Sequence, residues 1–419
     1  MPDAIHNARI TRRDAIAMGV VAAATTYLPV LVARLGGSAF DIGLLTAVPA
    51  VAGFTLAIPI GQYLQRKARV VAWYSTARLV AHLSYASIAL AVFLAPREAV
   101  VPLIVAIWAI AAVPATMGAV LFPIVMDGAA GPHGRLELMS RRWSIMGMTT
   151  AITVSATGQF LDRIAFPGNY AIVFVAFTVA GLASYHFSRQ FHIPRVEPPA
   201  ADERERSVAS RIRGGLALVR SKPAFLRYSV RQLVYVAGTR LATPLIPLYY
   251  VTIVAAPDAW IGIIATGQSL AFLAGYQVWR RQSRVRGTRI LLLVVLLVSS
   301  LYPAALSLTD QLLVVATLAT VAAFFTAGVD LILFDELMRT VPRQHGVAFV
   351  SIDTTLVNLA TIVAPLIGAA VAGLAGIEVA LRIAAIISLC GVVLFVQEAR
   401  RRNRAAPAGG VAPGAPAQV

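Results

Sequence analysis

Residues 42–45 read IGLL and residues 261–264 read IGII, 219 positions later. Each tetrapeptide opens a long apolar run. At the same offset Lys67 and Ala68 meet Arg286 and Gly287, in basic breaks between apolar runs. Farther along, Asp127 is followed eight residues on by Arg135, and Asp335 eight residues on by Arg343, each Asp lying just after an apolar run. Matches this short gain weight because they fall at equivalent places in the chain. Weak self-similarity at a long offset is the mark of duplicated halves in membrane proteins.

Composition agrees with a bilayer setting. The chain is 58% hydrophobic and 13% charged, with a mean hydropathy of +0.76, whereas soluble domains carry about 45–50% apolar and about 25% charged residues. A spanning helix needs about 20 apolar residues. Six such runs occupy 13–34, 42–64, 70–94, 100–126, 141–161 and 169–189. Six more occupy 226–251, 260–279, 289–308, 311–334, 346–374 and 379–398. Barrel strands would be about ten residues long and alternate in polarity, which these runs do not. The expected fold class is an all-α membrane protein of 12 transmembrane helices in two pseudo-symmetric six-helix bundles. Residues 1–189 form the first bundle, 190–225 a linker, 226–400 the second bundle, and 401–419 a disordered Ala/Pro/Gly-rich tail.

The net charge of +17 suggests nucleic acid only until the charges are placed. With the amino terminus in the cytoplasm, 28 of the 36 Lys and Arg residues fall on inner loops, linker or termini. The outer ends carry Arg34, Arg97, Arg163 and Arg382. This is the positive-inside pattern, so both termini are expected in the cytoplasm and the charge needs no nucleic acid. Arg9, Arg12 and Arg13 precede an apolar run from Ala15 to Ala33. It exceeds the roughly 7–15 apolar residues of a signal peptide and reads as the first span. In the linker, Val208, Ile212, Leu216 and Val219 recur at helical spacing. They suit either a short helix on the inner membrane face or a solvated linker. Cys390 is the single cysteine and the six His residues are scattered, so neither a disulfide framework nor a metal site is expected.

Between spans 2 and 3 lies Gly61-Gln62-Tyr63-Leu64-Gln65-Arg66-Lys67-Ala68-Arg69. With six spans, a basic linker and six more spans, this resembles the major facilitator superfamily. Gly61, Arg66 and Arg69 match the family's loop motif; Gln65 stands where the family has Asp, and Ala68 where it has a second Gly. The family's arginine motif in span 4 is absent. The resemblance implies two bundles around a central cavity lined by spans 1, 4, 7 and 10, helped by 2, 5, 8 and 11, with spans 3, 6, 9 and 12 peripheral. It implies rocking that exposes a midplane site to each side in turn, with no cofactor and a monomeric carrier. Gly61, Gln65, Arg66, Arg69, Asp127, Arg135, Asp335 and Arg343 would then serve at the gating loops.

Ionisable groups inside a bilayer are expensive and need partners or water. Arg240 sits in span 7, roughly 14 Å beyond Arg231 at 1.5 Å per residue. Two roles are open to it: an anion receptor, since guanidinium presents a planar fork to carboxylate or phosphate, or an internal ion pair with Asp330 or Asp353. Those two acids are read as the only carboxylates inside spans, with Asp14 at a cytoplasmic end; they are either proton carriers or salt-bridge partners. Arg231 is expected to reach the inner headgroups. Ser75, Arg78, His82 and Tyr85 form a stripe on span 3. Arg78 and His82 are candidates for coupling or an ion pair, since His can titrate near neutral pH, or the stripe packs on span 2 or the basic loop. Thr25, Tyr27, Thr116, Gln268 and Asn358 complete the cavity candidates, and Pro29, Pro114, Pro244, Pro247 and Pro365 are expected to bend their helices.

The expected function is secondary transport of a small solute across the cytoplasmic membrane. An organic anion or other polar metabolite, with or without proton coupling, competes with efflux of lipophilic compounds. A lipid-modifying enzyme would want clustered His, Asp or Glu at a membrane face, and a channel a filter-like loop; neither is present in the sequence.

Overall fold

The computed structural model describes residues 2–64, 69–193, 222–286, 288–340 and 346–405. Every regular element among them is a helix. In the first half these are α1 (Pro2–Ala22), α2 (Ala24–Arg34), α3 (Ala39–Leu64), α4 (Val70–Leu94), α5 (Arg97–Leu161) and α6 (Gly168–Ser188). The second half holds α7 (Pro223–Ala242), α8 (Leu245–Thr252), α9 (Asp258–Arg286), α10 (Thr288–Leu306), α11 (Leu312–Thr340), α12 (Gly346–Ala375) and α13 (Ile377–Ala405).

These elements make the twelve expected crossings, with three differences. The first crossing is α1 plus α2, broken at Ala23, and α1 starts well before residue 13. The seventh is α7 plus α8, broken at Thr243 and Pro244. Spans 4 and 5, read as separate helices, are one helical run of 65 residues. A straight helix would set Phe122 and Trp143 roughly 30 Å apart, yet their rings are 6.4 Å apart. The run therefore doubles back between them, where the sequence places Gly128, Gly131, Pro132 and Gly134, all poor helix formers. Among the described residues nine helical segments are long and apolar enough to cross a bilayer. The remaining crossings are the returning arm of α5, the broken α7–α8 pair and α10, whose apolar stretch Leu291–Leu306 is short.

Packing separates two bundles and shows where they meet. In the first, α1 packs on α5 and α6, and α4 on the same two; in the second, α7 packs on α12 and α13, and α9 on α11. Across the halves, α3 meets α12, α5 meets α9 and α2 meets α8. One apolar cluster is shared by both halves, joining Tyr27, Leu31 and Tyr170 to Leu245, Tyr249 and Leu381. Two further clusters are private: Leu64, Tyr74, Val125 and Phe191 in the first bundle, Tyr228, Trp279, Leu292 and Phe349 in the second. The private clusters lie toward the ends that carry the basic loops, hereafter the basic face. The shared cluster lies toward the opposite ends, the far face. The bundles are thus sealed at the far face and parted by a cleft toward the basic face.

Candidate functional site

Both helix breaks follow from side-chain chemistry. At the first, the Thr26 N–H reaches only back to Ala23, and the Thr25 hydroxyl donates to the Ala22 carbonyl at 2.7 Å. At the second, Pro244 has no N–H, so the Arg240 carbonyl accepts from Thr243 N–H at 3.2 Å. The Thr243 hydroxyl in turn donates to Thr239. Pro29 and Pro247 deprive Thr25 and Thr243 of their i+4 donors in the same way. The pattern Thr-x-x-x-Pro thus recurs 218 residues apart, within one residue of the repeat offset. It was legible in the sequence as a pair, but its prolines and Thr25 were singled out separately and Thr243 not at all. Paired discontinuous helices near the midplane mark the binding region of transporter folds.

Arg240 lies in the last turn of α7, beside the second break. It is half-buried and forms no ion pair among the described residues. Its charge acts on Asp330 of α11, which is exposed despite its position inside a spanning helix. Tyr276 of α9 stands beside Asp330. The Phe272 ring stands edge-on to Tyr276 at 4.9 Å, and Gln268, one turn farther along, is half-buried. One wall of the cleft therefore carries a guanidinium, a carboxylate, a phenol, a ring and an amide. Asp353 is buried elsewhere, on α12, and accepts from Gln232 Nε2 at 3.3 Å.

The other cavity candidates are placed differently. Tyr27 is fully buried and donates to the Val154 carbonyl at 2.6 Å across the α2–α5 contact. Thr116 is buried and returns its hydroxyl to Ala112. Asn358 is half-buried in α12. Of the loop residues, Gly61 faces Val120, Arg69 immediately precedes α4, and Asp127 and Arg69 are exposed while Asp335 is half-buried. Gln65, Arg66, Arg343 and the linker stretch 208–219 lie outside the described residues, as do the Arg135 side chain and the tail after residue 405.

Three expectations are corrected. Asp14 is not at a solvated end: it is fully buried, 2.9 Å from Arg78 and 3.5 Å from Arg142. The Ser184 hydroxyl donates to it at 2.7 Å. The Arg78–His82 stripe consequently packs on α1 and α6, not on span 2. Arg78 donates to Asp14, Tyr74 and Ser184, and His82 fills the space left by Gly181. Small residues on α6 make that approach possible. Arg231 does not reach headgroups either. It is buried, 3.2 Å from Glu398 and over the Phe395 ring, because α13 carries that acid back against α7.

The far face holds a cluster that sequence reasoning missed. Arg34 Nε donates to Asp258 Oδ1 at 2.9 Å and Arg34 Nη2 to the Ala256 carbonyl at 2.8 Å. Tyr170 donates to the same Asp258 oxygen at 2.7 Å. Ala255 supports this turn with a φ of 50°, a left-handed conformation that few non-glycine residues adopt. Arg34 and Tyr170 belong to one bundle, Asp258 and Ala256 to the other, so the cluster clasps the halves together. Its sequence signal was slight: one outer-end arginine and one acid opening α9.

Beside the clasp, α5 and α9 cross at Gly158 and Gly262. A Cβ at Gly158 would fall 2.6 Å from the Asp258 carbonyl oxygen and 3.1 Å from Gly262 Cα. Both neighbours are backbone, so they yield only if the bundles part. Gly158→Ala is expected to open the far face, whereas Gly147→Ala, with open space around it, leaves it closed. A Thr266→Cys reporter in a Cys390→Ser background measures this, because the Thr266 hydroxyl spans the seam to Ala151. Faster modification by an impermeant thiol reagent from the far face in the Gly158 variant alone is the expected result; equal rates would mean that the seam tolerates a methyl group.

The comparisons with known proteins agree with this architecture. The sequence model described as Major Facilitator Superfamily matches residues 229–418. A point mutant of the nucleoside transporter NupG superposes with a TM-score of 0.74 at 10% identity, over 94% of this chain and 99% of that one. A bacterial homologue of the iron transporter ferroportin, in an inward-facing state, gives 0.69 at 13% identity, over 94% and 98%. A bacterial homologue of the human lysosomal transporter Spinster, inward-facing and unoccupied, gives 0.64 at 12% identity, over 96% and 97%. No curated protein matches in sequence. At these identities the structural likeness speaks for the fold.

Proposed function

We propose that this chain is a carrier of the major facilitator superfamily, a secondary transporter that carries a small polar solute by docking its anionic group on Arg240. The family model over residues 229–418 and the twelve-crossing fold support the carrier reading over an enzyme. One observation supports the choice of solute: a guanidinium beside the break in helix 7, half-buried at the cleft and without an ion pair among the described residues. A desolvated cation left open to a cleft is a receptor for a carboxylate or phosphate. The positive-inside count favours the cytoplasmic membrane with the basic face in the cytoplasm, so the cleft opens inward. Docking, parting of the far-face clasp and closure of the cleft then move the solute across.

Proton coupling falls to Asp353. It is buried, has no cationic partner among the described residues, and accepts from the Gln232 amide nitrogen. The Gln232 carbonyl oxygen beside it is buried without a donor, and a protonated Asp353 carboxyl supplies one. Tyr228 on α7 lies within its field, together with the charges of Glu336 and Arg231 that act on the same phenol.

Uptake into proteoliposomes tests both parts. Losing a charge-assisted hydrogen bond of about 1.5–3 kcal/mol makes Arg240→Gln roughly ten- to hundredfold slower for small organic anions. Acceleration by a pH gradient disappears in Asp353→Asn. Anion uptake indifferent to Arg240→Gln would overturn the receptor role and leave efflux of lipophilic compounds as the better reading.

A further inference from the structure

We propose that the transported solute is zwitterionic, its carboxylate or phosphate held by Arg240 and its cationic group by Asp330. This rests on the reading of Arg240 as the anion receptor and adds a second requirement to it. The two charges stand on cleft-lining helices that touch, α7 and α11. The Arg240 charge reaches Asp330, yet the two form no ion pair among the described residues, so each keeps bonding capacity. Asp330 is exposed, and Tyr276 stands beside its carboxylate on the α9 side. A solute carrying only negative charge would meet Arg240 with an acid next to it and be repelled by that acid. A solute carrying only positive charge would meet the same conflict reversed. A molecule with both charges satisfies both groups at once and leaves the cleft neutral.

Among the described residues, the charges inside the first bundle's helix contacts are turned on one another. Thr25 and Thr116 return their hydroxyls to their own helices. Asp14, Arg78 and Arg142 are buried among themselves. The polar head of the solute is therefore held by the second bundle alone. The Phe272 and Tyr276 rings lie edge to face beside it, available to the solute's carbon skeleton.

The probes are ω-amino acids of two to six carbons, each with its matched carboxylic acid and matched amine. They are measured by uptake into proteoliposomes and by the shift in thermal unfolding in detergent. At one chain length at least, the amino acid is expected to be bound and carried roughly ten- to hundredfold better than its matched acid and its matched amine, the factor a lost charge-assisted bond gives. Asp330→Asn should abolish the advantage over the acid, and Arg240→Gln the advantage over the amine. Acids equal to amino acids at every length, with uptake still dependent on Arg240, would overturn the zwitterion and leave the anion receptor standing. Uptake independent of Arg240 would remove both. Binding of no probe at any length would also overturn the proposal, and slow far-face modification of a Thr266→Cys reporter, equal to that in the otherwise unchanged protein, confirms in each case that the protein is folded.

Discussion

Replacing Asp14 by Asn is expected to destabilise the protein by about 3–5 kcal/mol, the range for a buried ion pair that loses one partner. Asparagine keeps the shape of the side chain and still accepts the Ser184 hydroxyl, so what is lost is charge. That charge serves two guanidiniums at once. Arg78 and Arg142 are both buried, and Arg142 Nε has no hydrogen-bond partner. The cluster already holds one positive charge in surplus, eased by the Phe122 and Trp143 rings 4.8 and 5.4 Å from the Arg142 guanidinium. Without Asp14 two like charges would face each other inside four packed helices. Heating the detergent-solubilised protein and following the monodisperse fraction should give a clearly lower midpoint for Asp14→Asn. Adding Arg142→Met should recover part of the loss, because it removes the cation left uncompensated. A midpoint equal to wild type would mean that both arginines reach water or lipid phosphate when released.

How much of this was legible beforehand differs by level. Span 3 was read as 70–94 and α4 runs from Val70 to Leu94; span 2 was read as 42–64 and α3 ends at Leu64. Apolar length is dictated by the bilayer, so hydropathy finds it directly. The duplication was equally legible, since equivalent breaks must recur if equivalent helices do. Partner choice was not. Asp14 and Arg78 are 64 residues apart, and Arg34 and Asp258 are 224 apart. Hydropathy reports which residues avoid lipid and says nothing about which helix faces meet. Glu398 illustrates the point: in sequence it is an acid at the end of the last span, and only the packing of α13 on α7 gives it Arg231. The doubled-back α5 escaped for another reason. Gly and Pro signal a break in helical direction, and here the chain reversed without leaving the helical conformation.

Removing the far-face clasp is expected to shift the balance of states by roughly ten- to hundredfold, the effect of losing charge-assisted hydrogen bonds of about 1.5–3 kcal/mol. Asp258→Ala deletes the acceptor for both Arg34 and Tyr170, and these bonds exist only while the far face is closed. A contact made in one state alone biases the equilibrium by its full free energy. Spin labels at Phe40→Cys and Leu308→Cys, both exposed at far-face ends of opposite bundles, in a Cys390→Ser background, report the outcome. A longer-distance population should appear in Asp258→Ala and, because the Tyr170–Asp258 bond is kept, to a smaller extent in Arg34→Gln; the double variant should shift less than the two singles summed, because both lose the Arg34–Asp258 contact. A carrier must break this clasp in every cycle, so the contact has to be strong enough to seal the far face and weak enough for solute binding to overcome. Gly158, Gly262 and the buried Tyr27 close the seam by shape, which leaves the clasp to set how often it opens. Unchanged distances in Asp258→Ala would place that control in the packed glycines instead, and Gly158→Ala would then be the more disruptive of the two changes.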